Sequence, residues 1–303
     1  AQRKFTISDD GFFDPGARIE IQLRYEGEPD TTVFKGVVVR HGVEAGPSGS
    51  ILFVIIKDAV VKLTGSRQSA LFADMSDSDI IKQLIADAGL SAGEIADTQP
   101  KHQKMVKYYA TSWDFILSRA EAQGLLVVAD DGVLSLAAIK LAGEAKHKFD
   151  YGITEILDLE IEVDAGSQYE EVASVGWDPK EQKPTDPTKA SGTAVAPGDL
   201  DGAKLGQDAG QGKAVLSHPV PLTADELQSW ADGRLARSRL ALCRGRIAVP
   251  GFAAIKPLDV MELIGVSKHF NGKTLVTGFS HRIDRLGWRT DVQFGLAAAP
   301  FGT

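Results

Sequence analysis

Residues 157–164 read Leu-Asp-Leu-Glu-Ile-Glu-Val-Asp, four acids in alternation with four apolar residues. In an extended strand this period of two sets Asp158, Glu160, Glu162 and Asp164 on one face and the aliphatic residues on the other. Two carboxylates about 5–10 Å apart are what a glycoside hydrolase uses, one as acid and one as base or nucleophile. Four in a row also read as the solvated outer face of an antiparallel sheet, or as an acidic wall lining a channel or meeting a basic partner. Seven acids and no base lie between 155 and 171, whereas 234–289 holds eleven Lys or Arg against three acids. Opposite biases of this kind suit neighbouring copies that touch through unlike faces, as in rings. A solvated mixture of charges is the plainer alternative.

Other motifs with chemical overtones reduce to structure. Asn271-Gly-Lys-Thr274 resembles the end of a phosphate loop, but Ser267 stands where the first glycine belongs and strands flank it. Asn-Gly between alternating apolar runs predicts a tight hairpin instead. The glycines at 202, 206, 210 and 212 miss the dinucleotide spacing. The six histidines (41, 102, 147, 218, 269 and 281) form no i,i+4 pair, and metal-ligand spacing is absent. Ser48, Ser50 and Ser191 complete no nucleophile elbow. Cys243, the single cysteine, follows an apparent helix and reads as a packed thiol. No cofactor is implied.

The elements that position these residues are mainly strands. The chain has 303 residues, 43% hydrophobic and 24% charged, enough for two domains with sizeable cores. A formal net charge of −8 opposes nucleic-acid binding as a main function. The apolar run Ile51–Ile56 falls far short of the ~18–20 residues that span a bilayer and reads as a buried strand. Strands are predicted at 18–25, 31–40, 51–58, 125–129, 133–138, 155–164, 168–177, 244–249, 259–266, 274–285 and 288–296. Helices are predicted near 77–88 (Ser76 as cap), 113–123 (Ser112 as cap) and 222–242, where Thr223 and Glu226 form a capping box. Between 179 and 213, Pro and Gly abound without an aromatic residue, the composition of a mobile loop. The organisation expected is a first β-barrel over 1–65, an α/β insertion over 66–150, and a second barrel from 151–178 plus 243–298.

An internal echo links the two ends. Shifted by 242 residues without a gap, Pro15–Arg40 lies on Pro257–Arg282, matching Pro15/Pro257, Glu20/Glu262, Thr32/Thr274, Gly36/Gly278 and Arg40/Arg282. It implies two related barrels, with Gly36 and Gly278 as points of bending or close backbone approach.

Two stretches resemble a known family. Tyr108-Tyr-Ala-Thr-Ser-Trp-Asp-Phe-Ile-Leu-Ser-Arg-Ala-Glu-Ala-Gln-Gly124 is similar to a segment of VgrG proteins. Cys243-Arg-Gly-Arg-Ile-Ala-Val-Pro-Gly251, followed by Ile255–Asp259, Phe270-Asn-Gly272, Val276-Thr-Gly278, His281 and Trp288-Arg-Thr290, is similar to late segments of VgrG and of the phage late-control gene D family. The resemblance implies a mainly β, α+β fold like that of a phage tail hub, and a structural function without catalysis. It implies a homotrimer whose six barrels form a pseudo-sixfold ring between a hexameric inner tube and a trimeric spike, with other baseplate proteins around it. Such a protein assembles in the bacterial cytoplasm and becomes part of a virion tail or injection machine. In that frame Gly36, Arg40, Gly278 and Arg282 are the expected tube-facing positions, and the acidic strand 158–164 is the expected channel wall. The spike that follows in VgrG does not occur in these 303 residues, which fits a chain cut before it or a separately encoded spike. The competing readings are a tail-associated cell-wall hydrolase with a carboxylate pair and a small-ligand-binding β-barrel.

Overall fold

The computed structural model describes residues 5–296 apart from 48, 100 and 192–197. The expectations that touch Ser48, Pro197 and the end of the second barrel at 297–298 lie outside them. Contacts divide the chain into two units, one of Ala1–Ile95, His102–Leu117 and Val127–Leu136, the other of Ala96–Lys101, Ser118–Leu126 and Ala137–Thr303.

The first unit opens with a short helix, α1 (Thr6–Asp9), and a three-stranded antiparallel meander, β1 (Arg18–Leu23), β2 (Thr31–Gly46) and β3 (Gly49–Lys57). A 3-10 turn at Ala59–Thr64 leads to β4 (Gln68–Phe72), α2 (Asp77–Asp87), β5 (Ser91–Ile95) and β6 (Met105–Ala110). Helix α3 (Ser112–Ala122) then precedes β7 (Leu125–Asp130) and β8 (Val133–Ala138). β4 pairs with β6, and β5, β8 and β7 form a small sheet. α2 starts where its cap dictates: Ser76 Oγ accepts from Asp79 N–H at 3.2 Å while the Asp79 carboxylate reaches back, and Ile80, Ile81, Leu84 and Ile85 are buried as one stripe. At α3 the cap is Thr111, whose Oγ1 accepts from Asp114 N–H at 3.0 Å. Ser112, the expected cap, is already helical, and its hydroxyl accepts from Nζ of buried Lys107 at 3.1 Å.

The second unit centres on a six-stranded sheet in the order β10-β16-β19-β18-β17-β9. Its strands are β9 (His147–Asp150), β10 (Asp158–Val163), β16 (Cys243–Pro250), β17 (Val260–Ile264), β18 (Gly272–Asp284) and β19 (Gly287–Phe294). Between β10 and β16 the chain forms β11 (Glu171–Val175), β12 (Trp177–Asp178), β13 (Lys183–Pro184), β14 (Thr188–Lys189), α4 (Gly202–Asp208), β15 (Lys213–Ser217) and α5 (Ala224–Ala241). Residues 179–213, expected from composition to be a mobile loop, therefore hold short regular elements. Their prolines and glycines punctuate turns between a β12–β13 ribbon, a strand on β11, and a helix capped by Asp201. Residues 66–150, read as one insertion, are divided between the units, and β9 adds in parallel to β17.

The sheet buries Phe149, Cys243, Ile247, Val249, Ile255, Met261, Leu263, Val276, Val292 and Phe294 on one face. Burial pushes the Cys243 thiol up to about 11, so it is a packed core group, as its sequence position implied. α5 begins with the predicted capping box and packs on β11, where Ser174 Oγ donates to Leu227 C=O at 2.6 Å. The Asn271-Gly272 turn is different from the tight hairpin expected. β17 and β18 are joined through 265–271, and Asn271 Oδ1 accepts from Val266 and Ser267 N–H at 3.0 and 3.3 Å, closing a wider loop with its side chain.

Gly233 of α5 lies against Gly124, and a Cβ on Gly233 would stand 2.3 Å from Gly124 Cα. Alanine is the better helix former by about 1 kcal/mol, yet Gly233→Ala is expected to destabilise by about 1–3 kcal/mol because backbone cannot yield to the added methyl. Urea unfolding checks the sign; a stabilised variant would contradict this contact.

Candidate functional site

The two meanders are one pattern used twice. In the first, Ile19 pairs with Gly36 and Ile21 with Phe34; in the second, Met261 pairs with Thr274 and Leu263 with Gly272. The central strands then bulge at the same point. Val38 faces Ile56 and Arg40 faces Ile55, as Val276 faces Phe294 and Gly278 faces Gln293. Both hairpins close alike, at Gly46/Gly49 and Asp284/Gly287. The first strands keep the offset of 242, but the second and third strands correspond at 238 (Val38 to Val276, Ile56 to Phe294). The difference of four residues is absorbed where the first hairpin runs on past a bulge at Ile21/Gln22.

This register corrects the ungapped echo. Gly36 corresponds to Thr274, Arg40 to Gly278, and Arg282 to Glu44. Gly36 is a point of close approach, since a Cβ there would lie 2.5 Å from Lys57 O. Gly278 instead adjoins the bulge and meets only the flexible end of Gln293.

Alternation puts the acidic strand on the face opposite the core, as predicted, but the acids are not a bare wall. Arg246 on β16 donates to Asp158 at 2.6 Å, to Glu160 at 2.9 Å and, through its other terminal nitrogen, to Asp291 on β19 at 2.6 Å. Arg244 donates to Glu162 at 2.6 Å and to Asp164 at 3.4 Å. Asp291 is buried and also takes Arg289 at 2.9 Å, with Arg282 at 3.8 Å. These hydrogen bonds raise the Arg246 pKa further above its ordinary value. The opposite charge biases of 155–171 and 234–289, which would also suit contacts between neighbouring copies, thus meet in part within one chain, through Arg244 and Arg246. Sequence reasoning missed Asp291, Arg244 and Arg246 as members of this network; the Arg-x-Arg spacing at 244–246 is the period-2 signal that marks them.

The corresponding face of the first meander is chemically unlike it. There Ile51, Phe53 and Ile55 of β3 stand where β19 has Arg289, Asp291 and Gln293. The Phe53 ring lies across Gly42, and the Arg40 guanidinium sits 5.4 Å from its centroid. Of the four expected tube-facing residues, Arg40, Gly278 and Arg282 therefore share this outer face of their respective sheets, and Gly36 belongs to the opposite face.

Elsewhere, Asp259 accepts from Lys146 Nζ at 2.9 Å and Lys256 N–H at 2.9 Å and pairs with His147 Nε2 at 2.8 Å, beside a cleft of about 420 Å³ lined by Phe149, Pro250 and Phe252. Among the described residues no group of three or more His, Cys, Asp or Glu is arranged to hold a metal ion. No described helix is long and apolar enough to cross a membrane.

A family model described as the Alg8 N-terminal domain matches residues 1–285. No curated protein matches the sequence. Among solved structures, the tail protein from Neisseria meningitidis MC58 is similar over 88% of this chain and 80% of its own, at 17% identity and a TM-score of 0.66. The 43 kDa tail protein of prophage MuSo2 from Shewanella oneidensis is similar over 97% and 86%, at 12% identity and a TM-score of 0.64. A type VI secretion component of E. coli, described as structurally similar to T4 bacteriophage tail proteins gp27 and gp5, matches over 94% and 65%, at 10% identity and a TM-score of 0.53. At these identities the likeness is one of fold, and the fold is the mainly β, tail-protein type expected. The matching family model is not that of VgrG or late-control gene D proteins. The motifs at 108–124 and 243–290 fall largely on strands and helices of the fold.

Arg246→Ala is expected to cost about 1–3 kcal/mol, because it strips a partner from buried Asp291. Glu160→Gln, on a side chain 70% exposed, is expected to stay within about 0.5 kcal/mol. Equal shifts in urea midpoint for the two variants would contradict a clamp centred on Arg246.

Proposed function

We propose, from the premise that this chain belongs to the Alg8 N-terminal domain family and folds as phage tail proteins do, that it is a structural hub of a phage tail or a related contractile injection machine. In this reading three copies assemble, and the paired meanders of each copy present six similar sheets to a hexameric inner tube while keeping threefold symmetry toward a spike. The observation that carries the reading is the doubled meander, with its coincident bulges and hairpin ends. A protein that contributes two near-equivalent sheets per copy is suited to matching a threefold to a sixfold partner.

The partners are further copies of the chain, a tube protein, a spike and other baseplate proteins, and the setting is a virion tail or injection apparatus. Arg40, Gly278 and Arg282 remain the candidates for tube contact, and Asp158, Glu160, Glu162 and Asp164 for a channel wall. That wall would be a well-hydrated lattice of ion pairs with a residual negative charge, past which an anionic cargo slides without adhering. The ion pairing also favours a building role over catalysis. Asp158 and Glu160 share Arg246, and Glu162 and Asp164 share Arg244, so the carboxylates serve as ion-pair partners in a sheet.

The test is the native mass of the chain across a concentration series, with negative-stain images of the same sample. A three-chain species forming a ring of pseudo-sixfold outline is expected. A chain that stays single at every concentration, with and without a supplied trimeric spike, overturns the proposal.

A further inference from the structure

The repeat makes one asymmetry conspicuous. The outer edge of β19 is covered by β16, which pairs residues 245–250 antiparallel with 289–294. The corresponding edge of the first meander, residues 51–56 of β3, has no strand on it among the described residues. That edge reads Ile-Leu-Phe-Val-Ile-Ile, the run whose composition predicts a buried strand, yet Ile51 is 67% and Ile55 40% exposed. Natural edge strands are guarded by charge or proline against pairing with another chain. β1, at the opposite edge of the meander, is guarded in this way by Arg18 and Glu20. β3 carries no guard between Ile51 and Ile56.

We infer that β3 takes a strand from a second copy of this chain, and that the strand is β10. This inference rests on the trimer proposed above and adds the contact that builds it. β10 is the terminal strand of the six-stranded sheet, so its outer edge is also open among the described residues. It has six residues, Asp158–Val163, the length of the bare stretch of β3. The charges are complementary in part, because the four acids of 158–164 share only Arg244 and Arg246 and keep an excess of negative charge. Arg40, stacked on Phe53, and Lys57 stand on the same face of the meander as Ile55, while β10 presents Asp158, Glu160 and Glu162 on the corresponding outer face. β3 and β10 are different surfaces, so their contact is head-to-tail and generates a closed ring when the rotation allows. Backbone pairing supplies affinity and the alternating side chains supply register.

Two measurements decide it. The pair Ile51→Lys and Ile55→Lys places guards on exposed positions and is expected to turn the trimer into a monomer with unchanged far-UV circular dichroism. A folded lysine variant that remains trimeric overturns the inference. Independently, a chain bearing Cys at 51 or 55 is mixed with a chain bearing Cys at 158, 160 or 162 and oxidised. Disulfide-linked two-chain species are expected in at least one mixture, and in neither chain alone. Cross-linking between two β3-labelled chains, or a trimer with no adduct in any mixture, overturns the β3–β10 contact while the hub proposal stands. A wild-type chain that is monomeric throughout overturns both. Should the lysine pair disturb folding, the cysteine mixtures decide, because their substitutions are single and on exposed side chains.

Discussion

One guanidinium holds three strands of the second sheet in register. Arg246 reaches from β16 to carboxylates on β10 and on β19. Because the side-chain period of a strand is two, fixing that face fixes the other, and a slip of one residue would carry Ile247 out of the core and Arg246 into it. The ionic face and the apolar core are therefore consequences of one alignment. The price is that Asp291 lies buried, where it is tolerable only while its arginines surround it.

The first meander has the same backbone plan and a different solution. Where the second sheet places charge, the first places Ile51, Phe53 and Ile55, with Gly42 making room for the Phe53 ring. One copy of the pattern is completed by strands of its own chain on both sides, and the other, among the described residues, ends in two edges. The two meanders thus differ in surface while sharing bulge and hairpin geometry.

Much of this was legible in the sequence wherever period and capping determine the outcome. The acids of β10 alternate, the stripe of α2 is uninterrupted, and Ser76 and Thr223 cap the helices they precede. The register of the repeat was not legible, for a specific reason. An error of four residues is even, so apolar residues still fall on apolar residues and the wrong alignment looks as good as the right one. Likewise Arg244 and Arg246 lie eighty or more residues from the β10-side acids they meet, and Arg246 lies forty-five from Asp291, separations that local pattern cannot bridge. The turns of 179–213 were recognisable by composition, but β13 and β14 gain their identity from partners outside that stretch, β12 and β11.

Cys243 occupies the step from α5 directly into β16, with no intervening loop. As the only cysteine among 303 residues, fully enclosed and with its thiol held in the neutral form, it is a built-in reporter of this joint. An alkylating reagent in solution reaches the sulfur when helix and strand part, so its rate of modification is a clock for the opening of the second unit's core, and assembly into a larger particle would be read as a slowing of that clock.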